Sequence, residues 1–480
     1  MFDSVIVWLS GRVGWIWVEA VAPLGLVIAA VVTAHVLLTK RDVGSSIGWI
    51  GLAWLSPVTG GFLYYLLGIN RVKRRAQRLA DRPASGAERP ILPPMGGRDD
   101  HLAPLELAAR RLTGRHVERG NAITVLHNGD GAYPPMLDAI VTATKSIALS
   151  SYILRDDKAG GAFVDALIAA HQRGVAVRVL LDGVGSGYFL SEAYTRLRNS
   201  GVPAARFLHS PLPWRMPFLN LRTHKKVLLI DGRIGFTGGM NIAAENVLRT
   251  QPRHPVRDTH FRVAGPVVGQ LMDAFASDWS FVTNEILDGP LWFPSLKSEG
   301  GAMARVITSG PDLDLEKIEF LILEAISCAR QSIRLATPYF LPDERLMTSL
   351  SLAAMRGVEV DVVMPRASNY RVVDWAARAN IGPLLNEGGR IWLSGPPFDH
   401  SKILVVDGQW CLIGSANFDM RSFRLNFELG LEIYDAALAN ELETLMVTRW
   451  GARLTQENLE SRILPIRLRD ALARLLMPYL

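Results

Sequence analysis

His224-Lys225-Lys226-Val227-Leu228-Leu229-Ile230-Asp231 and His400-Ser401-Lys402-Ile403-Leu404-Val405-Val406-Asp407 decide the reading of this 480-residue chain, because one pattern of residue types occurs twice. The offsets from His to Lys and Asp coincide, as do those to Gly238-Gly239-Met240-Asn241 and Gly414-Ser415-Ala416-Asn417. In a strand, side chains two apart share a face, so each His and its Lys are expected to enter one cavity while the apolar residues fix the strand in the core. Asp231-Gly232 and Asp407-Gly408 supply a hairpin turn signal. Glycine after the returning strand permits close backbone approach, and the asparagine adds an amide donor. A single such segment reads as an ordinary exposed strand; two with matching downstream residues mark a duplicated half-site.

Outward from the motifs the order of elements repeats as well. Ser150-Ser151-Tyr152-Ile153-Leu154 in the first half answers to Thr337-Pro338-Tyr339-Phe340-Leu341 in the second, each preceded by a helical run. Next come Arg173-Gly174-Val175 and Arg356-Gly357-Val358, each between a helix and a β-rich segment. Strands alternating with such helices predict the α/β class with substantially buried sheets. Two similar domains, residues 120–290 and 301–480, are expected to pack about a pseudo-two-fold axis, as an isologous pair would.

The residue types suit phosphodiester chemistry. Such a substrate is anionic and resists attack, so a site must neutralise charge, supply a nucleophile and protonate the leaving alkoxide. Lys226, Lys402, Asn241, Asn417 and Ser415 are candidate phosphate donors. One neutral imidazole of the His224/His400 pair can attack phosphorus while the opposite imidazolium protonates the leaving oxygen. Asp258 and Glu428 hold corresponding places in the repeats and are suited to orienting the imidazoles. Asp231 and Asp407 complete the candidate catalytic set as motif members, although their position favours a turn-fixing role. Gly239 stands where Ser415 stands in the second copy, so one half-site lacks that hydroxyl.

Over about residues 120–450 the pattern resembles the duplicated HKD motif of the phospholipase D superfamily. The N-terminus, with its Gly68-to-Ala76 ending GINRVKRRA, is similar to that of bacterial cardiolipin synthases. The resemblance implies two phospholipase D-like domains after a transmembrane hairpin, and transfer of a phosphatidyl group between two phosphatidylglycerol molecules with release of glycerol. It implies His224 as nucleophile and His400 as acid/base, an order that the symmetry of the motifs leaves open to reversal. No metal or other cofactor is implied. The expected partners are phosphatidylglycerol and membrane lipid, not nucleic acid, at the bacterial inner membrane.

Composition and the N-terminus agree with a membrane enzyme. Hydrophobic residues make up 49% of the chain and mean hydropathy is +0.16, high for a soluble protein. Within residues 1–78, the uncharged run Ala20–Thr39 is long enough to span, and a second apolar run covers Ile47–Gly68 with Trp49, Trp54, Tyr64 and Tyr65 as interface anchors. A cleaved signal peptide would have a shorter apolar region. Asn70-Arg71-Val72-Lys73-Arg74-Arg75 places the remainder of the chain in the cytoplasm, against the weaker opposing vote of Lys40 and Arg41. His35 reads as packing within the hairpin. Residues 79–119, rich in Pro and Gly at their start, read as a linker. Pro211–Leu219 and the leucine-rich, Arg-bearing Ile463–Leu480 are candidate interfacial segments, with core packing and domain capping as their structural alternatives. Cys328 and Cys411 lack a motif for a disulfide framework or a zinc site.

Net charge is +6, from 52 Lys and Arg against 46 Asp and Glu, which would also suit a superfamily nuclease. The membrane runs argue against that, and the complete motifs argue against an inactive scaffold. A hydrolytic phospholipase D, or transfer to another alcohol, shares the same first step.

Overall fold

The computed structural model describes residues 22–40, 43–68, 101–210, 221–311 and 314–477. The basic cluster 70–75, the Pro/Gly-rich segment 79–100 and Pro211–Leu219 lie outside the described residues. The chain falls into an N-terminal unit and a larger unit holding both halves of the repeat.

In the N-terminal unit Ala22–Thr39 is one uninterrupted apolar helix, long enough to cross a bilayer. The second apolar run departs from the single span expected over 47–68. It begins earlier, as a helix over Val43–Leu55, breaks at Ser56, and resumes as Pro57–Leu63 and one π-helical turn over Tyr64–Gly68. Pro57 has no N–H to donate and disfavours helical geometry at the residue before it, and Ser56 sits at φ −146°, ψ 80°. At about 1.5 Å per residue, neither piece alone matches the roughly 30 Å hydrocarbon core. His35 packs edge-on to Tyr64 and hydrogen-bonds its hydroxyl at 2.7 Å.

In the larger unit the first half supplies β1 (Glu118–His127), β2 (Ser146–Ser151), β3 (Ala176–Asp182), β4 (Ala204–Phe207), β5 (Val227–Ile230), β6 (Ile234–Gly238) and β7 (Thr259–Ala264). The second supplies β8 (Ala302–Ser309), β9 (Ser332–Ala336), β10 (Glu359–Pro365), β11 (Arg390–Ser394), β12 (Ile403–Val406), β13 (Trp410–Gly414), β14 (Asn426–Tyr434) and β15 (Ala452–Leu454). All join one mixed sheet in the order β15-β11-β10-β9-β12-β13-β14-β8-β1-β7-β6-β5-β2-β3-β4. From β11 to β4 the order is the same from either end once β1 is matched with β8, β2 with β9, and so on. The antiparallel β1–β8 pair is the join. This is the order that a two-fold relation between repeats produces.

Local signals account for the matched elements. Asp157 and Asp343 cap the crossover helices Lys158–Gln172 and Glu344–Met355 by accepting backbone N–H groups. The Arg-Gly-Val turns end them: Gly174 and Gly357 take φ 89° and 88°, and the next valine donates back five residues at 3.1 Å. The helices cover two apolar cores, one around Ile147, Phe163 and Phe236, the other around Ile333, Leu404 and Trp410.

Residues 103–113 correct the linker boundary. They form a helix, and Leu102, Leu105 and Ala109, at helical spacing, enter the core of the second half. Arg305 on β8 ties this helix down. Fully buried, it pairs with Glu432 of β14, lies 3.5 Å from Glu106, and donates to the carbonyls of Glu106 and Arg115 at 3.2 and 3.1 Å. Arg305→Met is predicted to leave buried Glu432 without its cation and Glu106 with Arg110 at 4.0 Å, and to cost about 3–5 kcal/mol. A denaturation midpoint equal to that of the parent protein would rule this out.

Candidate active site

Neither motif histidine stands on a regular strand. β5 and β12 begin only after the motif lysine, and short pieces carry the preceding residues across to the opposite half. Arg222–Thr223 pairs with Asn426–Phe427, and Phe398–Asp399 with Val256–Arg257. The His224 N–H then donates to the Phe427 carbonyl at 2.9 Å, and the His400 N–H to that of Arg257 at 2.8 Å. Side chains repeat the crossing: His224 Nδ1 is 3.0 Å from Glu428 Oε1, and His400 Nδ1 is 2.9 Å from Asp258 Oδ2. With Nδ1–H donated to a carboxylate, a neutral imidazole keeps its lone pair on Nε2. Both rings line one cleft of about 1120 Å³, together with Asn241 and Asn417.

Burial sets the electrostatics. It lowers both imidazole pKa values to about 4, with Lys402 adding to the effect at His400 and Glu428 opposing it at His224. Burial likewise lowers Lys226 to about 7 and Lys402 to about 8. It would raise Glu428 and Asp258, but each is held down by its histidine and a motif lysine. Two ammonium groups and two carboxylates balance while the imidazoles are neutral. A bound phosphodiester monoanion is balanced when one imidazole gains a proton, which yields one neutral and one protonated ring.

The remaining predicted residues divide. Lys226 and Lys402 each donate to the carbonyl of their own motif histidine at 2.6 Å. The side-chain oxygens assigned to Asn241 and Asn417 are buried without a partner among the described residues. Ser415 is not a phosphate ligand as expected: its hydroxyl bonds Glu428 and accepts the Leu429 N–H at 3.0 Å. At Gly239 a Cβ would come within 2.6 Å of Asp258 Oδ1, so the first half has no room for that serine. Asp231 and Asp407 leave the catalytic set. Both take left-handed turn conformations, at φ 53° and 54°, and neither lines the cleft. Asp231 gathers the N–H groups of Thr144, Lys145 and Ser146, and Asp407 those of Arg330, Gln331 and Ser332.

The family described as cardiolipin synthase, phospholipase D-like domain, matches residues 136–279 and 322–450, one stretch in each half. The chain is 34% identical over 457 residues to a cardiolipin synthase of Geobacillus sp. (strain WCH70), covering 92% of this chain and 90% of that one. It is 32% identical over 476 residues to the major cardiolipin synthase of Bacillus subtilis (strain 168), covering 95% and 97%. The chain belongs to the cardiolipin synthase family. Among solved structures, phosphatidylserine synthase of Haemophilus influenzae Rd KW20 shares the fold, with a TM-score of 0.61 over 78% of this chain and 100% of that one at 16% identity.

Several site residues of this cardiolipin synthase family member escape motif reading. Tyr152 stands edge-on to His224 with ring centroids 5.0 Å apart, and Tyr339 likewise to His400 at 6.4 Å. Their matched places in the repeat were the available signal. Behind His400, buried Arg449 bonds Asp399, Ser401 and Thr259, neighbours of His400 and of its partner Asp258. Behind His224, Lys225 meets Asp278 at 2.9 Å instead.

Glu428→Gln removes the anion that fixes the His224 tautomer and faces Lys226, and turnover per folded molecule is predicted to fall at least about a hundredfold. Asp231→Ala should do the opposite, losing about 1–3 kcal/mol of stability while the folded fraction keeps its turnover. Activity assays paired with melting curves separate the two. A fully active Glu428→Gln would refute the orienting role.

Proposed function

We propose that this chain is a membrane-bound cardiolipin synthase, transferring a phosphatidyl group from one phosphatidylglycerol to the glycerol hydroxyl of another and releasing glycerol. The observation that carries the reading is one cleft lined by both motif histidines, each held by a carboxylate from the opposite half. Near full-length identity to cardiolipin synthases supports the choice among phosphodiester reactions.

In the proposed sequence His224 Nε2 attacks phosphorus, and the bond to the leaving glycerol oxygen breaks as the His400 imidazolium gives that oxygen its proton. The second phosphatidylglycerol then gives its hydroxyl proton to His400 as its oxygen attacks, and the P–N bond breaks. The two imidazoles are held alike, so the order rests on family analogy. Lys226, Lys402, Asn241 and Asn417 are assigned to the phosphoryl oxygens.

Membrane attachment is assigned to Ala22–Thr39, with the broken run Val43–Leu63 returning beside it as the second arm. The basic cluster at residues 71–75 supports a cytoplasmic catalytic unit. A further lipid-facing element is the C-terminal helix Leu464–Arg474. It turns Asp470 inward to Arg462 and Arg469 and leaves Leu464, Leu468, Leu472 and Leu475 exposed, while Leu476 lines the cleft. That stripe suits an interfacial helix.

Purified enzyme given labelled phosphatidylglycerol should release cardiolipin and glycerol in equal amounts; phosphatidic acid as the sole lipid product would overturn the reading. His224→Ala and His400→Ala should each abolish transfer, because neither half-site holds both roles. In kcat/KM, protonation of the nucleophile should inhibit only below the usual histidine value near 6.5, since burial resists it. Because His400 must take up its proton with the anionic substrate, the rate should already decline as pH rises above that limb. The alkaline limb should fall through about pH 7 to 8 as Lys226 and Lys402 lose their charge. A profile still rising at pH 9 would contradict the lysine assignment.

A further inference from the structure

Both motif histidines are buried, whereas a phospholipid keeps its acyl chains in a bilayer. Drawing those chains through water is costly in proportion to their area, so some wall of the cleft must accept them as the phosphate comes in.

The second half offers such a wall. The C-terminal helix Leu464–Arg474 lies on the helix Arg371–Asn380, and Ala473 and Met477 enter the same core as Val373, Ala376 and Ala377. Arg469 stands over the Trp375 ring at 4.3 Å, and Arg474 reaches the Ala379 carbonyl at 3.4 Å, which fixes the pairing. The start of Arg371–Asn380 is itself cleft wall, since Val372 and Val373 line the cleft, as do Leu341 and Leu476. Leu341 follows Tyr339 by two residues, and the Tyr339 ring is edge-on to His400. At the other end Leu476 is half exposed and directly follows Leu475, the last member of the leucine stripe. Apolar side chains therefore run from the outer stripe, by way of Leu476 and Val373, to the ring beside His400.

The first half lacks this wall. In the turn after β3, which answers to the turn after β10, Val184 lines the cleft but Tyr188, Phe189 and Leu190 do not. After the helix Val267–Thr283 comes only the single turn Gly289–Trp292, where the second half continues from Ala436–Val447 to the C-terminal helix. Charge favours a lipid against the stripe. With about 3.6 residues per turn, Arg467 and Arg474, both exposed, fall on one flank of it. A basic flank beside an apolar stripe suits an anionic lipid surface.

We propose that the C-terminal helix is an entry ramp for phosphatidylglycerol: its leucine stripe rests in the leaflet, and acyl chains pass from it onto Leu476, Val373 and Leu341 as the headgroup moves to the histidines. The inference rests on the cardiolipin synthase reading and adds the route by which that substrate leaves the bilayer. Chains on this wall stay out of water throughout. The headgroup arrives beside His400, where that reading has a glycerol oxygen give or take its proton.

The test uses the full-length enzyme reconstituted in liposomes. Cardiolipin formation is measured once with long-chain phosphatidylglycerol in the bilayer and once with dihexanoyl phosphatidylglycerol, dissolved below its micelle concentration, outside neutral liposomes. In L468E and in L472E the ratio of long-chain to short-chain rate is expected to fall at least tenfold, and L472M should keep it. The ratio comes from the same folded molecules, so partial unfolding does not mimic the effect. In L472C carrying an environment-sensitive fluorophore, nitroxides on lipid acyl chains should quench the emission. An unchanged ratio, whether both rates hold or both fall, overturns the ramp, and so does an unquenched fluorophore. Sedimentation that shows a dimer lost in L472E would assign the stripe to a second copy of the chain and overturn it too. If the parent enzyme forms cardiolipin from neither lipid, the parent reading fails; if it does form it and the ratio stays fixed in the variants, only the ramp fails.

Discussion

The crossed imidazole–carboxylate pairing is the constraint on which the rest of the molecule depends. His224 takes its orienting anion from β14 of the second half and His400 takes its own from the start of β7 in the first. Neither repeat alone could fix a tautomer. The halves must therefore meet in one register, and one continuous sheet joined at β1 and β8 provides it. Burial of four charged side chains and two imidazoles is tolerable because the charges are opposite, adjacent and hydrogen-bonded, whereas any one of them alone would be strongly disfavoured there. The same burial depresses the basicity of the rings and lysines, so the site waits uncharged overall and gains a proton as the anionic substrate arrives.

Equivalent geometry is reached with different parts in the two halves. In one, the longer Glu428 reaches His224 and is steadied by Ser415; in the other, the shorter Asp258 reaches His400 and Gly239 makes room. Behind the motifs, Lys225 with Asp278 answers to Ser401 with Arg449. What both halves keep is the position of a charged anchor beneath the motif, while its sign and partner differ. Symmetry survives in the placement of the two imidazoles and of a carboxylate beside each, and lapses in the parts that support them.

The same division accounts for how much of the molecule was legible in its sequence. Of the local patterns, the Asp-Gly turns and the Arg-Gly-Val helix ends appear in the fold as expected, whereas each motif histidine precedes its strand, and the lysines bond the histidine carbonyls and are not among the residues that line the cleft. Asp258 and Glu428 were legible from matched position, but their crossing was not, since nothing in either segment says which half it will face. The role of Ser415 depended on the length of Glu428 across the sheet, a tertiary matter. Composition misplaced residues 103–113, because three apolar positions are too few to outweigh a Pro/Gly-rich approach. The second apolar run was read by hydropathy alone, and the break at Ser56 comes from Pro57, a backbone restriction that hydropathy does not weigh.

A site with two like histidines has no intrinsic direction, yet transfer between two like lipids requires one molecule to give and the other to receive. Direction must then come from groups outside the symmetrical centre. The centre holds one phosphoryl charge in balance and no more, because its two lysines are already matched by two carboxylates. A second phosphate brought into the same cleft would meet only the burial that penalises every other charge there, unless the wall supplied its own cations. The walls differ in kind, with Arg222 where the other half has Phe398 and Arg421 where it has a paired Glu245, in a cleft that Arg155, Arg253 and Arg371 also line. Unlike walls around like catalytic groups are what allow a duplicated site to treat two identical substrates differently.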